Sequence, residues 1–156
     1  MEGKVQLLIF VVEGRPFGLL LPQVERVIRA MAWTPLPQSP EMVLGAIDLG
    51  GEIIPLFDFR ARFGLPERDV SENDQFVIAR TSRRAVALAV EEVKGLEERD
   101  RVDIVEAERV LPHLDQIEGA IQLDQGLTLI HNLNRFLSLD EERELDKALS
   151  AGVSDG

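Results

Sequence analysis

Three carboxylates, Asp48, Glu52 and Asp58, surround a Gly50-Gly51 pair. Carboxylates grouped this closely could divide acid and base work in a hydrolase, one holding a proton to donate and the other ionised. Their plainer uses are as ready. Asp48 and Glu52 bracket a Gly-Gly turn, where solvated acids are ordinary, and Asp58 stands before Phe59, where it can cap a helical turn. The hydrolase alternative predicts that Asp48 and Asp58 converge in one pocket, and carboxylates pointing apart into solvent exclude it.

The remaining reactive side chains are sparse. His113 and His131 lack the spacing of a metal pair; Asp115 could join them, but the expectation is a surface-loop His113, a half-buried strand His131 and no metal. Ser39, Ser71 and Ser82 lie in turn-like contexts without a G-x-S-x-G elbow. Gly50-Gly51 has neither the Lys-Ser/Thr nor the following long helix of a phosphate loop. The chain contains 0 cysteines, which removes disulfides, thiolate metal sites and cysteine nucleophiles together. No catalytic residue and no cofactor is expected.

Charge narrows the partners. Lys and Arg number 17 against 28 Asp and Glu, a formal charge of -11 that repels phosphate backbones and anionic lipid, and Tyr is absent, so base-stacking platforms are few. Nucleic acid is not an expected partner. Lys4 ahead of Leu7-Leu8-Ile9-Phe10-Val11-Val12 has the look of a short signal peptide, yet Glu13, Arg15 and Pro16 follow without a small-residue cleavage site. No apolar run nears the ~20 residues a bilayer requires, so no direct membrane insertion is expected and the cytoplasm is the expected compartment.

The elements that must position these residues are mainly strands. With 156 residues, 45% of them hydrophobic, the chain can bury one sizeable core, and its apolar runs are short and rich in Val, Ile and Leu. Val5–Val12 and Phe17–Leu21 flank a compact Glu13–Pro16 turn; Leu44–Leu49 and Ile53–Phe57 flank Gly50-Gly51-Glu52; Phe76–Thr81 and Ala85–Val90, then Ile117–Leu123 and Leu127–Ile130, follow. Pro22 opens a helical turn over residues 23–27, Phe59–Phe63 forms another, and Glu97–Glu108 reads as irregular and charged. Ser138-Leu139-Asp140-Glu141 fits a capping box, with Leu145, Ala148 and Leu149 on one face of the helix behind it.

The order of elements repeats. Sliding by 69 sets Leu8 on Val77 and Leu19 on Leu88; sliding by 74 sets Gly45-Ala46-Ile47 on Gly119-Ala120-Ile121 and Leu56 on Ile130. A duplicated β lobe is the reading, each copy having about five short strands, right for a small closed barrel. Lobe one is expected over roughly 1–65 and lobe two over roughly 75–137, linked by the acidic stretch Pro66–Asp74. A helix over 139–150 completes a single domain of 1–150, and 151–156 forms a flexible tail. Between two lobes runs a groove, for which Val27, Ile28, Trp33 and Val93 are candidate linings. In small barrels such residues more often fill the interior.

Gly45-Ala46-Ile47-Asp48-Leu49-Gly50-Gly51-Glu52-Ile53-Ile54-Pro55-Leu56-Phe57-Asp58-Phe59-Arg60 resembles the signature of the CheW-type chemotaxis coupling proteins, usually G-x-x-N-L-R-G-x-I-x-P-x-x-D-L-R. The likeness extends to Leu129–Leu137 and the acidic terminal helix. It implies an all-β fold of two tandem SH3-like five-stranded barrels with short helices and a C-terminal helix. It also implies a non-enzymatic scaffold between the cytoplasmic tip of methyl-accepting chemoreceptors and the regulatory domain of a CheA-type histidine kinase. A related adaptor role in a motility or developmental pathway is the alternative within this class. The family's partner-contacting hairpin falls on Asp48, Leu49, Gly50, Gly51 and Glu52. Here Gly50 replaces the motif's Arg and Asp48 its Asn, which implies weaker binding to a typical kinase regulatory domain.

Overall fold

The computed structural model describes residues 3–106 and 117–154. The apolar runs form strands β1 (Lys4–Val12), β2 (Arg15–Leu20), β3 (Val24–Arg29), β4 (Val43–Leu49), β5 (Glu52–Phe57), β6 (Gln75–Arg80), β7 (Ala85–Val90), β8 (Glu92–Asp100), β9 (Val105–Glu106), β10 (Ile117–Leu123) and β11 (Gly126–His131), followed by helix α1 (Leu139–Ser154). The helical turn at Pro22 is shorter than expected, a single 3-10 turn over Leu21–Gln23. Val24, Val27 and Ile28 pass into β3 instead, because β-branched side chains lose χ1 freedom in a helix and pack well on a pleated surface. Glu97–Asp100, expected to be irregular, complete β8, whose residues alternate between half-buried and exposed along its length. Helix α1 runs to Ser154 and so takes in most of the expected tail.

The strands form a six-stranded sheet in the order β8-β1-β2-β11-β10-β9 and a five-stranded sheet in the order β3-β6-β7-β5-β4. β8, at one edge of the first sheet, continues through a 3-10 turn (Arg101–Asp103) into β9, which pairs with β10 at the other edge. That sheet therefore closes on itself. In the second sheet the chain leaving β3 reaches Thr34, which donates to the carbonyl of Ala46 at 2.9 Å and accepts from its N–H at 2.8 Å, closing β3's continuation onto β4. Two small barrels result, as expected; the second has the expected five strands and the first has six, the sixth being the two-residue β9.

Barrel membership corrects the division into a lobe at 1–65 and a lobe at 75–137. Hairpin β1–β2 belongs to the barrel built from β8 to β11, and hairpin β6–β7 to the barrel built from β3 to β5. Each half of the chain lends its first hairpin to the other half. The repeat survives this exchange: Leu8 pairs with Leu96 and Val27 with Val77, each pair becoming the other on the 69-residue slide. The parallel contacts Ile130 to Gly18 and Leu56 to Ala87 also correspond, Gly18 moving onto Ala87 on the 69-residue slide and Leu56 onto Ile130 on the 74-residue one.

The exchange decides where the core lies. Leu7, Ile9, Ile121, Leu123 and Ile130 fill the first barrel, while Ile47, Ile54, Leu56, Phe76, Ile78 and three alanines of β7 fill the second. The strand pleat turns the alternate residues, Leu8, Phe10 and Val12 of β1 with Val77 and Ala79 of β6, into a third and largest cluster between the barrels. Leu145 and Ala148 of α1 seal that cluster, as their spacing predicts. The capping box forms: Ser138 N–H donates to Glu141 at 2.9 Å and Glu141 N–H to Ser138 Oγ at 3.1 Å. No helix among the described residues is long and apolar enough to cross a membrane.

Candidate functional site at the barrel seam and the β4–β5 hairpin

The third core cluster occupies the space where an open groove was expected, and it sorts the four groove candidates by strand face. Val27 and Val93 are half-buried and pack against the cluster between the barrels, at its margin. Ile28 and Trp33 are also half-buried, but they pack on the interior of the second barrel, with Trp33 set edge-on to Phe76. Val27 and Ile28 are adjacent on one strand, so the pleat alone must part them. Gln75 joins Val27 to Val93. It lies two pairs along from the Val27–Val77 pair, opposite Arg29, and its side-chain oxygen accepts the N–H of Val93 at 2.7 Å. Val27, Arg29, Gln75 and Val93 thus form one patch on the seam.

The β4–β5 hairpin is a tight two-residue turn, as its Gly-Gly pair predicts. Gly50 and Gly51 both have positive φ, 63° and 95°, and Asp48 accepts the Gly51 N–H at 2.8 Å. Leu49 is half-buried against the second barrel's interior, whereas Asp48 and Glu52 are exposed. Glu52 reaches Arg80 at 3.4 Å, and Arg80 also holds Glu25. The tip therefore carries acids and no cation of its own. At Gly50 an Arg would meet open space but must take the left-handed conformation, at a cost of about 1–2 kcal/mol. Gly50→Arg should accordingly lower stability by about that amount in a urea titration, and Gly50→Asn, which tolerates the conformation better, by less. Equal stability of all three proteins would show that the turn is not held in the geometry described.

The three carboxylates do not converge. Asp48 pairs with Ile53 near the hairpin tip, and Asp58 lies beyond the far end of β5, about 17 Å along the strand. A surface cleft of about 520 Å³ is lined by Asp58, Arg60, Glu41, Glu67 and Arg68, but by neither Asp48 nor Glu52. Asp58 has the capping role: its carboxylate accepts the Arg60 N–H at 3.0 Å. The hydrolase alternative has no support in this arrangement. His113 and Asp115 fall outside the described residues. Among those described, no cluster of His, Asp and Glu could hold a metal ion.

His131 departs from expectation by being fully buried rather than half-buried. Its ring sits among Phe10, Phe17, Phe59, Phe63 and Phe136, with centroids 4.6 to 5.7 Å away, and neither ring nitrogen has a hydrogen-bond partner. Burial pushes its pKa down from 6.5 to about 3. The folded protein therefore keeps His131 neutral where the unfolded chain takes up a proton. Stability is unaffected above about pH 6.5 and falls at about 1.4 kcal/mol per pH unit as the pH drops toward 3. Urea titrations at about pH 7.5 and about pH 5 should differ by about 2 kcal/mol from this group. His131→Leu should remove that part of the difference. An unchanged pH slope in the variant would assign the acid sensitivity elsewhere.

Sequence reasoning did not single out Arg60, although it ends the signature motif. It is 2% exposed and lies where three elements meet. Its guanidinium is 2.9 Å from Glu91 between β7 and β8, 3.6 Å from Glu13 in the β1–β2 turn, and 3.7 Å from Asp58. Burial alone would raise Glu91, but the N–H groups of Glu13 and Gly14 and the Arg60 guanidinium together hold its carboxyl below the usual range. Arg68 extends this network, 2.9 Å from Asp74 and 3.6 Å from Glu91. The signature arginine fastens one barrel to the other.

Two barrels fused through a shared core present a half-buried apolar seam and an exposed hairpin, surfaces of the kind on which a partner can dock. The CheW-like domain model matches residues 6–141, so the chain belongs to the CheW-like domain family. It is 30% identical over 95 residues to "Chemotaxis protein CheW" of Rhizobium meliloti (strain 1021), a match covering 61% of each chain. Against "Chemotaxis protein CheW" of Bacillus subtilis (strain 168) it is 24% identical over 152 residues, covering 93% of this chain and 89% of that one. The fold is similar to the crystal structure of scaffolding protein TtCheW from Thermoanaerobacter tengcongensis, with TM-score 0.80 and 24% identity over 89% of this chain and 96% of that one.

Proposed function

We propose that this protein is a chemotaxis coupling adaptor, acting in the cytoplasm to join methyl-accepting chemoreceptors to the regulatory domain of a CheA-type histidine kinase. The observation that carries the reading is the family match over residues 6–141, which takes in strands of both barrels, the seam and the hairpin. The scattered carboxylates support it from the other side, since a scaffold works by presenting surfaces rather than by converging reactive groups. In this reading the receptor docks on the seam around Val27 and Val93, and the Asp48–Glu52 hairpin faces the kinase.

The adjacent residues Val27 and Ile28 separate binding from folding. Val27→Asp places a charge at the seam's margin, where water can still reach it, so the barrels should stay folded while receptor binding weakens tenfold or more. Ile28→Asp points a carboxylate at the second barrel's interior and should cost about 2–4 kcal/mol of stability, within the range for an unpaired buried polar group. Titration of a receptor cytoplasmic fragment, run beside a urea melt of each variant, reads both effects. Undiminished receptor binding by a folded Val27→Asp protein would remove the seam from the receptor interface.

A further inference from the structure

The repeat allows the two barrels to be compared place by place, and they are filled differently at one end. In the second barrel Thr34 bridges to Ala46, and in the first Val105 pairs with Ala120 at the equivalent point. Trp33 therefore corresponds to Ile104: a β-carbon on Gly45 would lie 2.8 Å from Trp33 Cδ1, and one on Gly119 would lie 2.9 Å from Ile104 Cγ2. On the 74-residue slide Leu44 falls on Glu118 and Leu56 on Ile130. The second barrel thus fills this place with Trp33 and Leu44, both packed on its interior. The first has a smaller apolar side chain and a carboxylate there, and a cavity of about 270 Å³ opens between Leu20, Ile104, Ile130, Arg101, Glu106 and Glu118.

We propose that this cavity binds a free α-amino acid with a branched aliphatic side chain, which rests on Leu20, Ile104 and Ile130 while the carboxylate meets Arg101 and the ammonium meets Glu118. The floor is apolar, because Ile130 belongs to the first barrel's core and Leu20 and Ile104 pack against that core. Neither Arg101 nor Glu118 has an ion pair or side-chain hydrogen bond among the described residues. Partial burial raises the Glu118 carboxyl, and Arg101 offsets this only in part. A planar guanidinium takes a carboxylate through two parallel hydrogen bonds, which leaves the ammonium for the acid. Glu106 adds a second negative charge to the rim, so an anion without an ammonium is disfavoured. The volume lies just under the ~300–1,000 Å³ of pockets for drug-sized ligands, which suits a smaller molecule. None of the six residues belongs to the seam patch or to the β4–β5 hairpin, so the site stands apart from the coupling reading.

The probe is L-leucine, titrated into the full chain and followed by amide shifts in NMR spectra. Saturable binding is expected, with the shifts centred on Leu20, Ile104, Glu118 and Ile130. Isoamylamine, which lacks the carboxylate, and isocaproate, which lacks the ammonium, should each bind about tenfold more weakly. L-glutamate, which would set a charge on the apolar floor, should not bind. Arg101→Gln and Glu118→Gln should each weaken leucine binding about tenfold. Both side chains are exposed and unpaired, so these variants should melt like the parent. Ile104→Trp, which copies the second barrel, should close the cavity and abolish binding. An absence of saturable leucine binding up to its solubility limit overturns the proposal. So does isoamylamine binding as tight as that of leucine, or leucine binding that is unchanged in the folded Arg101→Gln and Glu118→Gln proteins.

Discussion

Replacing Arg60 by Met should destabilise this protein by about 3–5 kcal/mol, the range found when one partner of a buried ion pair is removed. The methionine itself packs well enough. The loss comes from what stays behind: Glu91 at 2.9 Å, Glu13 at 3.6 Å and Asp58 at 3.7 Å would lose the cation that balances them. Arg68 cannot take over, because it is 3.6 Å from Glu91 and already committed to Asp74. A domain of this kind has about 5–15 kcal/mol in total, so the variant should be partly unfolded at modest urea concentrations. Since Glu91 is held below its usual pKa, the parent's margin over the variant should narrow as the pH falls through the carboxylate range. A margin under about 1 kcal/mol at neutral pH would reduce the network to an ordinary surface cluster.

Gly45→Ala should come next in effect, at about 2–4 kcal/mol. A β-carbon on Gly45 would lie 2.2 Å from the Thr34 carbonyl oxygen and 2.8 Å from Trp33 Cδ1. Backbone must therefore move, and the backbone in question makes the two Thr34–Ala46 hydrogen bonds that close the second barrel. Overpacking costs about 1–3 kcal/mol and each lost hydrogen bond about 0.5–1.5. Gly119 occupies the equivalent place in the first barrel, where an added β-carbon would lie 2.8 Å from the Val105 carbonyl oxygen. That approach is looser, so Gly119→Ala should cost less than Gly45→Ala. Chemical denaturation of the two variants side by side checks the order, and a reversal would mean that the barrels do not close at these points.

The Gly-Ala-Ile repeat was thus legible in the sequence for a physical reason. Each copy begins the first strand of a hairpin beside a bulge, where a neighbouring strand passes too close for a side chain. The hairpins and the capping box were legible too, because turn glycines and cap residues act within a few positions of one another. Pairing between distant strands was not. An internal repeat says that positions 8 and 77 are equivalent, yet it is silent on whether each hairpin joins its own half or the other, since both choices bury the same apolar faces. β8 escaped notice because its partner lies far away in sequence: Lys4 pairs with Asp100 at 3.2 Å, an ion pair that no local pattern announces. The seam patch was half legible. Val27 and Val93 are legible as apolar, but their separation from Ile28 and Trp33 depends on the direction of the pleat.

The most direct test of coupling is reconstitution. Membranes carrying a methyl-accepting chemoreceptor are sedimented with the CheA-type kinase of the same organism, with and without this protein, and kinase in the pellet is measured. The account predicts that the kinase pellets with the receptor in a manner that depends on this protein, and that a folded Val27→Asp variant fails to support it. Kinase recovery that is the same whether or not the protein is present would contradict the adaptor reading.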